Sequence, residues 1–155
     1  MSATPNIRVQ PEDFNQTIEI EKLTKGRADI GAVTTFIGLC RSEGESLNAL
    51  ELEHYPGMAE AEVTKSAQEA CERWPIDGLT VIHRYGVIKP GEQIVLVIAT
   101  SRHRDAAFDG ARYVMDFLKT NAPFWKKEHR IDGKTGEWVD AKESDVDAKA
   151  RWAKS

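Results

Sequence analysis

A chain of 155 residues is long enough for one domain with a real hydrophobic core. Its 41% hydrophobic and 30% charged residues are those of an ordinary soluble globular protein, and a net charge of −4 argues against bulk nucleic-acid binding, which shows as a basic surplus. No apolar run approaches a membrane span, and the opening MSATPNIRVQPEDF lacks a signal-peptide hydrophobic region, so the protein is expected in the cytoplasm, with any role for anions confined to a local site.

Residues through Gln10 read as extended or loose. Pro11 opens a short polar segment in which Ile18, Ile20 and Leu23 supply one helical turn on the core. The run IGAVTTFIGL, 30–39, is rich in β-branched and aromatic residues and predicts a strand. RSEGES, 41–46, reads as a polar loop hinged at Gly44, and a second strand follows over 47–54. There Leu50 and Leu52 alternate against Glu51 and Glu53, which share a side and read as a solvated face rather than an acid and base pair. Tyr55, Pro56 and Gly57 mark a turn, after which Ala59, Val63, Ala67, Ala70 and Cys71 recur at helical spacing up to Trp74, where Pro75 stops the helix.

Beyond Gly78, residues 79–85 predict a strand, and Lys89, Pro90 and Gly91 a turn. The unbroken apolar run IVLVIA, 94–99, predicts a central strand covered on both faces. It empties into TSRHR, 100–104, and a helix starts close to Asp105, burying Ala107, Ala111, Val114, Met115 and Leu118. Pro123 disfavours helical geometry at Ala122, so this helix ends near Thr120 or Asn121. After Trp125 the composition turns charged and polar, with a turn at Asp132 and Gly133, a short strand at Trp138 and Val139, and a charged tail over 141–155. The order of elements implies an α+β fold with helices on a mostly antiparallel or mixed sheet.

The chemistry legible from residue types centres on 112–128, RYVMDFLKTNAPFWKKE. Lys119 and Lys126 stand on either side of the proline break, beside Phe124 and Trp125. Either they line a pocket for a small anion, or the aromatics anchor a loop and the lysines solvate it. A lysine becomes a base or nucleophile only when desolvation or neighbouring charge lowers its pKa, and otherwise stabilises developing negative charge. At SRHR, His103 and Arg104 either clamp a phosphate or carboxylate, or are satisfied by the backbone and by Asp105 or Asp109. Arg41 is a further anion ligand candidate. Cys40 and Cys71 read as reduced thiols. His54, His83, His103 and His129 have no metal-ligand spacing, and no metal site or cofactor is expected. No nucleophile with an evident base, no glycine-rich phosphate loop and no dinucleotide fingerprint is present.

The segments LEHYPGM (52–58), RWP (73–75), VIHRYG (81–86), MDFLKTNAPFWKKE (115–128) and WVDAKESD (138–145) resemble the large, catalytic subunit of molybdopterin synthase, the likeness running from about Gly31 to Trp152. The resemblance implies a single domain with an α/β hammerhead fold and an additional antiparallel subdomain, its first 29 or so residues poorly defined by the likeness. It implies a homodimer that becomes a heterotetramer with a small ubiquitin-like sulfur carrier. That carrier's C-terminal Gly-Gly thiocarboxylate would donate sulfur to cyclic pyranopterin monophosphate, forming the dithiolene of molybdopterin. By the same resemblance Lys119 and Lys126 are catalytic. Leu39, Cys40, Arg41, His103, Arg104, Lys119, Lys126, Lys127 and Glu128 contact substrate, and Phe36 and Met115 line the pocket. Leu39 stands where some relatives carry a lysine, and Cys40 where they carry an apolar residue. Two other classes compete: an adaptor that only binds a ubiquitin-like partner, and an RNA-binding module stacking bases on Trp125 and Trp138. Both lysines and the His103–Arg104 pair argue against the first, and the net charge against the second.

Overall fold

The computed structural model of the chain describes residues 3–42, 47–120, 124–131, 133, 135, 136 and 152. In chain order its elements are β1 (Asn6–Gln10), α1 (Gln16–Thr24), β2 (Ala32–Leu39), β3 (Leu47–His54), α2 (Met58–Arg73), β4 (Gly78–Arg84), β5 (Gly86–Ile88), β6 (Gln93–Ser101), α3 (Arg104–Thr120) and β7 (Phe124–Arg130). Four strands form one sheet in the order β1-β4-β6-β2, and three form another in the order β5-β3-β7. The first is mixed, because β1 runs parallel to β4 while β4–β6 and β2–β6 are antiparallel. The second is wholly antiparallel and is the added subdomain that the resemblance implies.

Covering both faces of the first sheet explains why β6 reads as a continuous apolar run over 94–99. On one face Val63, Ala67 and Ala70 of α2, with Ala111, Val114 and Leu118 of α3, pack on Val81, Val95 and Val97. On the other, Phe14, Ile20 and Leu23 cover Ile82, Leu96 and Ile98. Each valine, leucine or isoleucine fully removed from water in this way stabilises the fold by about 1.5–3 kcal/mol, and each alanine by less. The carboxylate of Glu60 accepts the Gly57 N–H at 2.7 Å, satisfying a donor at the start of α2.

The sequence reading and the structure differ in four places. Residues 6–10, read as extended or loose, are extended and in addition paired as a strand, because β4 offers an edge beside them. The helical turn expected after Pro11 is a nine-residue helix, capped by the Asn15 side chain and held to β1 by an ion pair between Arg8 and the buried Glu19. The strand expected over 79–85 is β4, and a further strand that was not expected, β5, follows it at once, because Gly86 takes a φ of 93°, which turns the chain out of the first sheet and into the second. Charged residues 126–130, which carried no strand signal, lie in β7. The expected hinge at Gly44, the break at Pro123, the strand at Trp138 and Val139, and the tail apart from Trp152 lie outside the described residues. Trp152 itself docks on the helices: its ring N–H donates to Asp116 at 2.6 Å, and its ring meets Trp74 edge-on with centroids 5.6 Å apart.

Candidate functional site

Strand pairing sorts the expected site residues to two ends of the first sheet. Leu39 pairs with Gln93 at the start of β6, and His83 with Val95, so Leu39–Arg41 and the end of β4 lie together. Ala32 pairs with Ser101 at the other end, where His103 and Arg104 begin α3. Helix α3 then runs back, carrying Lys119 toward the first end; at 1.5 Å per residue, Arg104 and Lys119 are about 22 Å apart along the axis. One chain therefore brings Lys119, Lys126 and Arg41 to one end and leaves His103 and Arg104 at the other. His103 and Arg104 are both exposed, as is Arg41.

Residues directly opposite in an antiparallel pair share a face. In the β3–β7 pair His54 faces Phe124, Leu52 faces Lys126 and Leu50 faces Glu128. Leu50 and Leu52 pack on Cys40 and Ile88, so Phe124, Lys126 and Glu128 are on the inner side of the second sheet. Lys127 lies opposite Glu51 on the outer side. There His129 Nε2 is 2.9 Å from Glu51 Oε1, and Trp125 meets Tyr55 edge-on at 4.9 Å. Adjacent lysines thus point to opposite sides of one strand. Glu51 and Glu53 share the outer face, as their spacing predicts.

Between the two sheets lies an aromatic joint. Phe124 stacks on His83, with ring centroids 3.8 Å apart and planes 14° from parallel, and the His54 ring is 6.2 Å from it. His83 Nδ1 is 2.8 Å from the Arg84 carbonyl, which only accepts, so Nδ1 carries the hydrogen. Burial holds this imidazole down at about 4, with the nearby Lys119 and His54 lowering it further and the Arg84 carbonyl pulling the other way. The ring is therefore neutral at neutral pH beneath a lysine. His54 Nδ1 is buried and has no hydrogen-bond partner among the described residues. Met115, in the last turns of α3, is buried in the same cluster that Phe124 packs against.

Phe36, opposite Val97, faces α3 from the edge strand and is 41% exposed, while Leu39 is 55% exposed. Cys40 differs. Its side chain is only 3% exposed, its thiol points to the Ile88 carbonyl at 3.7 Å, and its backbone N–H and C=O pair with Glu92 and Gly91. Burial pushes the thiol up, away from the reactive thiolate. Cys40→Ala is expected to keep its turnover and lose about 1–2 kcal/mol of stability from the vacated volume, checked by thermal melting and by product assay. Among the described residues no three His, Cys, Asp or Glu side chains are grouped to hold a metal. No helix among them is long and apolar enough to cross a membrane. What the sequence reading missed is the joint. A histidine following the apolar residues of a strand, in VIHRYG, was the available signal, but scattered spacing says nothing about stacking.

The fold is that of an α+β protein in which a mixed sheet and an antiparallel sheet meet at an aromatic joint, with Lys119, Lys126 and Arg41 toward the same end. The family model of the MoaE protein matches residues 9–121. The chain is 62% identical to the molybdopterin synthase catalytic subunit of Mesorhizobium japonicum, over 97% of this chain and 95% of that one. It is 59% identical to the subunit of the same name from Brucella melitensis, over 95% and 90%. Among solved structures, the molybdopterin biosynthesis MoaE protein from Burkholderia ambifaria superposes with a TM-score of 0.81 at 45% identity, covering 96% of this chain and 97% of that one. This chain belongs to the MoaE family of molybdopterin synthase catalytic subunits, enzymes of molybdenum cofactor biosynthesis.

Proposed function

We propose that the chain transfers sulfur, in the cytoplasm, from the C-terminal thiocarboxylate of a small ubiquitin-like carrier to cyclic pyranopterin monophosphate, in two rounds that build a dithiolene. The observation that carries this is the placement of Lys119 and Lys126 on either side of Phe124, with Arg41 at the same end of the sheet. The substrate's phosphate and the carrier's thiocarboxylate are both anionic, so a chain of net charge −4 needs its cations gathered in one place. The name catalytic subunit, borne by the relatives, implies a second chain that delivers a reactant.

Lys126, half-buried on the inner face, and Arg41 would hold the phosphate and pterin, with Glu128 two residues along the same face. For sulfur to leave the tail's acyl carbon, water adds to that carbon, which passes through a tetrahedral oxyanion and ends as the tail's carboxylate as its C–S bond breaks, the sulfur staying on the substrate. Lys119 would stabilise this charge or transfer the proton that accompanies it. Phe36 and Met115 would line the pocket, while Leu39 and Cys40 contribute through the corner they build. His103 and Arg104 lie too far from Lys119 in one chain to touch the same substrate. They would serve a site completed by a second copy in the homodimer, with one carrier at each end making the heterotetramer. Lys127, on the outer face, would contact carrier or substrate only from that side.

The test is to mix the chain with a thiocarboxylated ubiquitin-like carrier and cyclic pyranopterin monophosphate and to look for dithiolene. Product formation is expected. Carrier binding without product would leave an adaptor in its place.

A further inference from the structure

Lys119 and Lys126 belong to different parts of the molecule. Lys119 ends α3, which is packed on the first sheet, whereas Lys126 is held in β7 of the second. Their separation is therefore set by how the two sheets are joined, not by either element alone. Phe124 makes that joint. Its backbone pairs with His54 in the second sheet while its ring lies flat on His83 in the first. It also falls between the lysines in sequence, five residues after one and two before the other.

We propose that His83 is a positioning residue for sulfur transfer: by stacking under Phe124 it sets the start of β7, and with it the placement of Lys126 relative to Lys119. The proposal rests on the reading that both lysines act on one substrate. A histidine suits the task for two reasons. Its Nδ1–H is tied to the Arg84 carbonyl, which fixes the plane of the ring, and a leucine would offer no flat surface. The ring is also buried and neutral, so it supports Phe124 without adding a positive charge beside Lys119. His54, on β3, is the other ring within reach of Phe124 and also leans on Tyr85, with centroids 4.3 Å apart. The second sheet thus presents an aromatic face to the same joint.

The experiment compares His83→Leu, His83→Phe, Phe124→Leu and the double variant His83→Leu/Phe124→Leu, each as the full chain with its carrier and substrate. The chain is labelled throughout with fluorotryptophan. Trp125 is next to Phe124 in β7, whereas Trp74 and Trp152 lie together at the helices and report on the rest of the fold. For His83→Leu the expected result is a fall in kcat per folded site of roughly tenfold to a hundredfold. KM should rise as well, by up to about tenfold, because Lys126, the group displaced, is one that holds the substrate. The Trp125 fluorine line should shift or broaden while those of Trp74 and Trp152 hold. His83→Phe, which keeps a flat ring, should recover most of the rate and the Trp125 line. The double variant should be no worse than the poorer single one, because both remove one contact.

Wild-type kcat with an unmoved Trp125 line in His83→Leu would overturn the proposal. So would additive losses in the double variant, or the Trp74 and Trp152 lines moving together with that of Trp125, which would make His83 a general core residue. If the wild-type chain gives no dithiolene with a competent carrier, the functional reading fails. The Trp125 pattern across the four variants then decides the joint alone.

Discussion

Lys119→Ala is expected to lower dithiolene formation by roughly 10²–10³-fold, the loss seen when one group stabilising a developing oxyanion is removed. The fold should survive, since Lys119 is an exposed residue in the last turn of α3 and alanine is the better helix former. The matching change at Lys126 should read differently. That side chain is half-buried beside Leu52 and is assigned to holding the substrate, so Lys126→Ala should raise KM by roughly tenfold or more with a smaller effect on kcat. Lys119→Arg separates two roles for Lys119. Arginine keeps the charge but does not give up a proton, so partial recovery points to electrostatic stabilisation and none points to proton transfer. Product yield, kinetics with varied substrate and circular dichroism check all three. Near-normal turnover of a folded Lys119→Ala chain would remove Lys119 from the chemistry.

A second large effect is expected in stability against pH. The His83 imidazole is held at about 4 in the folded chain, chiefly by burial, against an ordinary value of 6.5. Among the described residues, the groups that shift it include no carboxylate. Val9 and Val95 flank it in the sheet, Phe124 covers it, and Lys119 and His54 supply the nearby titratable groups. Because the folded value is depressed, the unfolded chain takes up the proton first. Stability is then fully present above about pH 6.5 and falls as the pH drops toward 4. The difference in proton affinity between the folded and unfolded chain is worth about 3 kcal/mol, since each tenfold change in that affinity corresponds to about 1.4 kcal/mol. Denaturant unfolding between pH 7 and 4 should show this fall in the wild-type chain, and His83→Phe should flatten it over that window. An equal slope in both chains would show that His83 is not the group responsible.

Much of the fold was legible because covered strands and amphipathic helices leave a periodic record. The run 94–99 reads as a strand covered on both faces, and the stripe from Ala107 to Leu118 as the buried side of a helix, and both are found so. What escaped were elements stabilised by their neighbours. In β7, FWKKEHR has no alternation of apolar and polar residues, and it is a strand because β3 supplies its hydrogen bonds. For the same reason β1 was hidden until β4 lay beside it. Gly86 was visible as a residue, but the change of sheet that its positive φ permits was not.

The candidate site divides in the same way. Residue types and family resemblance were enough to single out Lys119, Lys126, Arg41, His103 and Arg104, because cations that recognise anions are identifiable from local sequence. Their grouping was decided only in three dimensions. Helix length puts His103 and Arg104 at the opposite end of the sheet from Lys119, and strand register turns Lys126 inward and Lys127 outward. The sequence by itself determined which groups carry charge and which segments seek burial, since both are properties of single residues and short periods. The tertiary structure decided which charges share a face and that His83 and Phe124 join the sheets, because contacts between residues 41 positions apart depend on packing that no local pattern records.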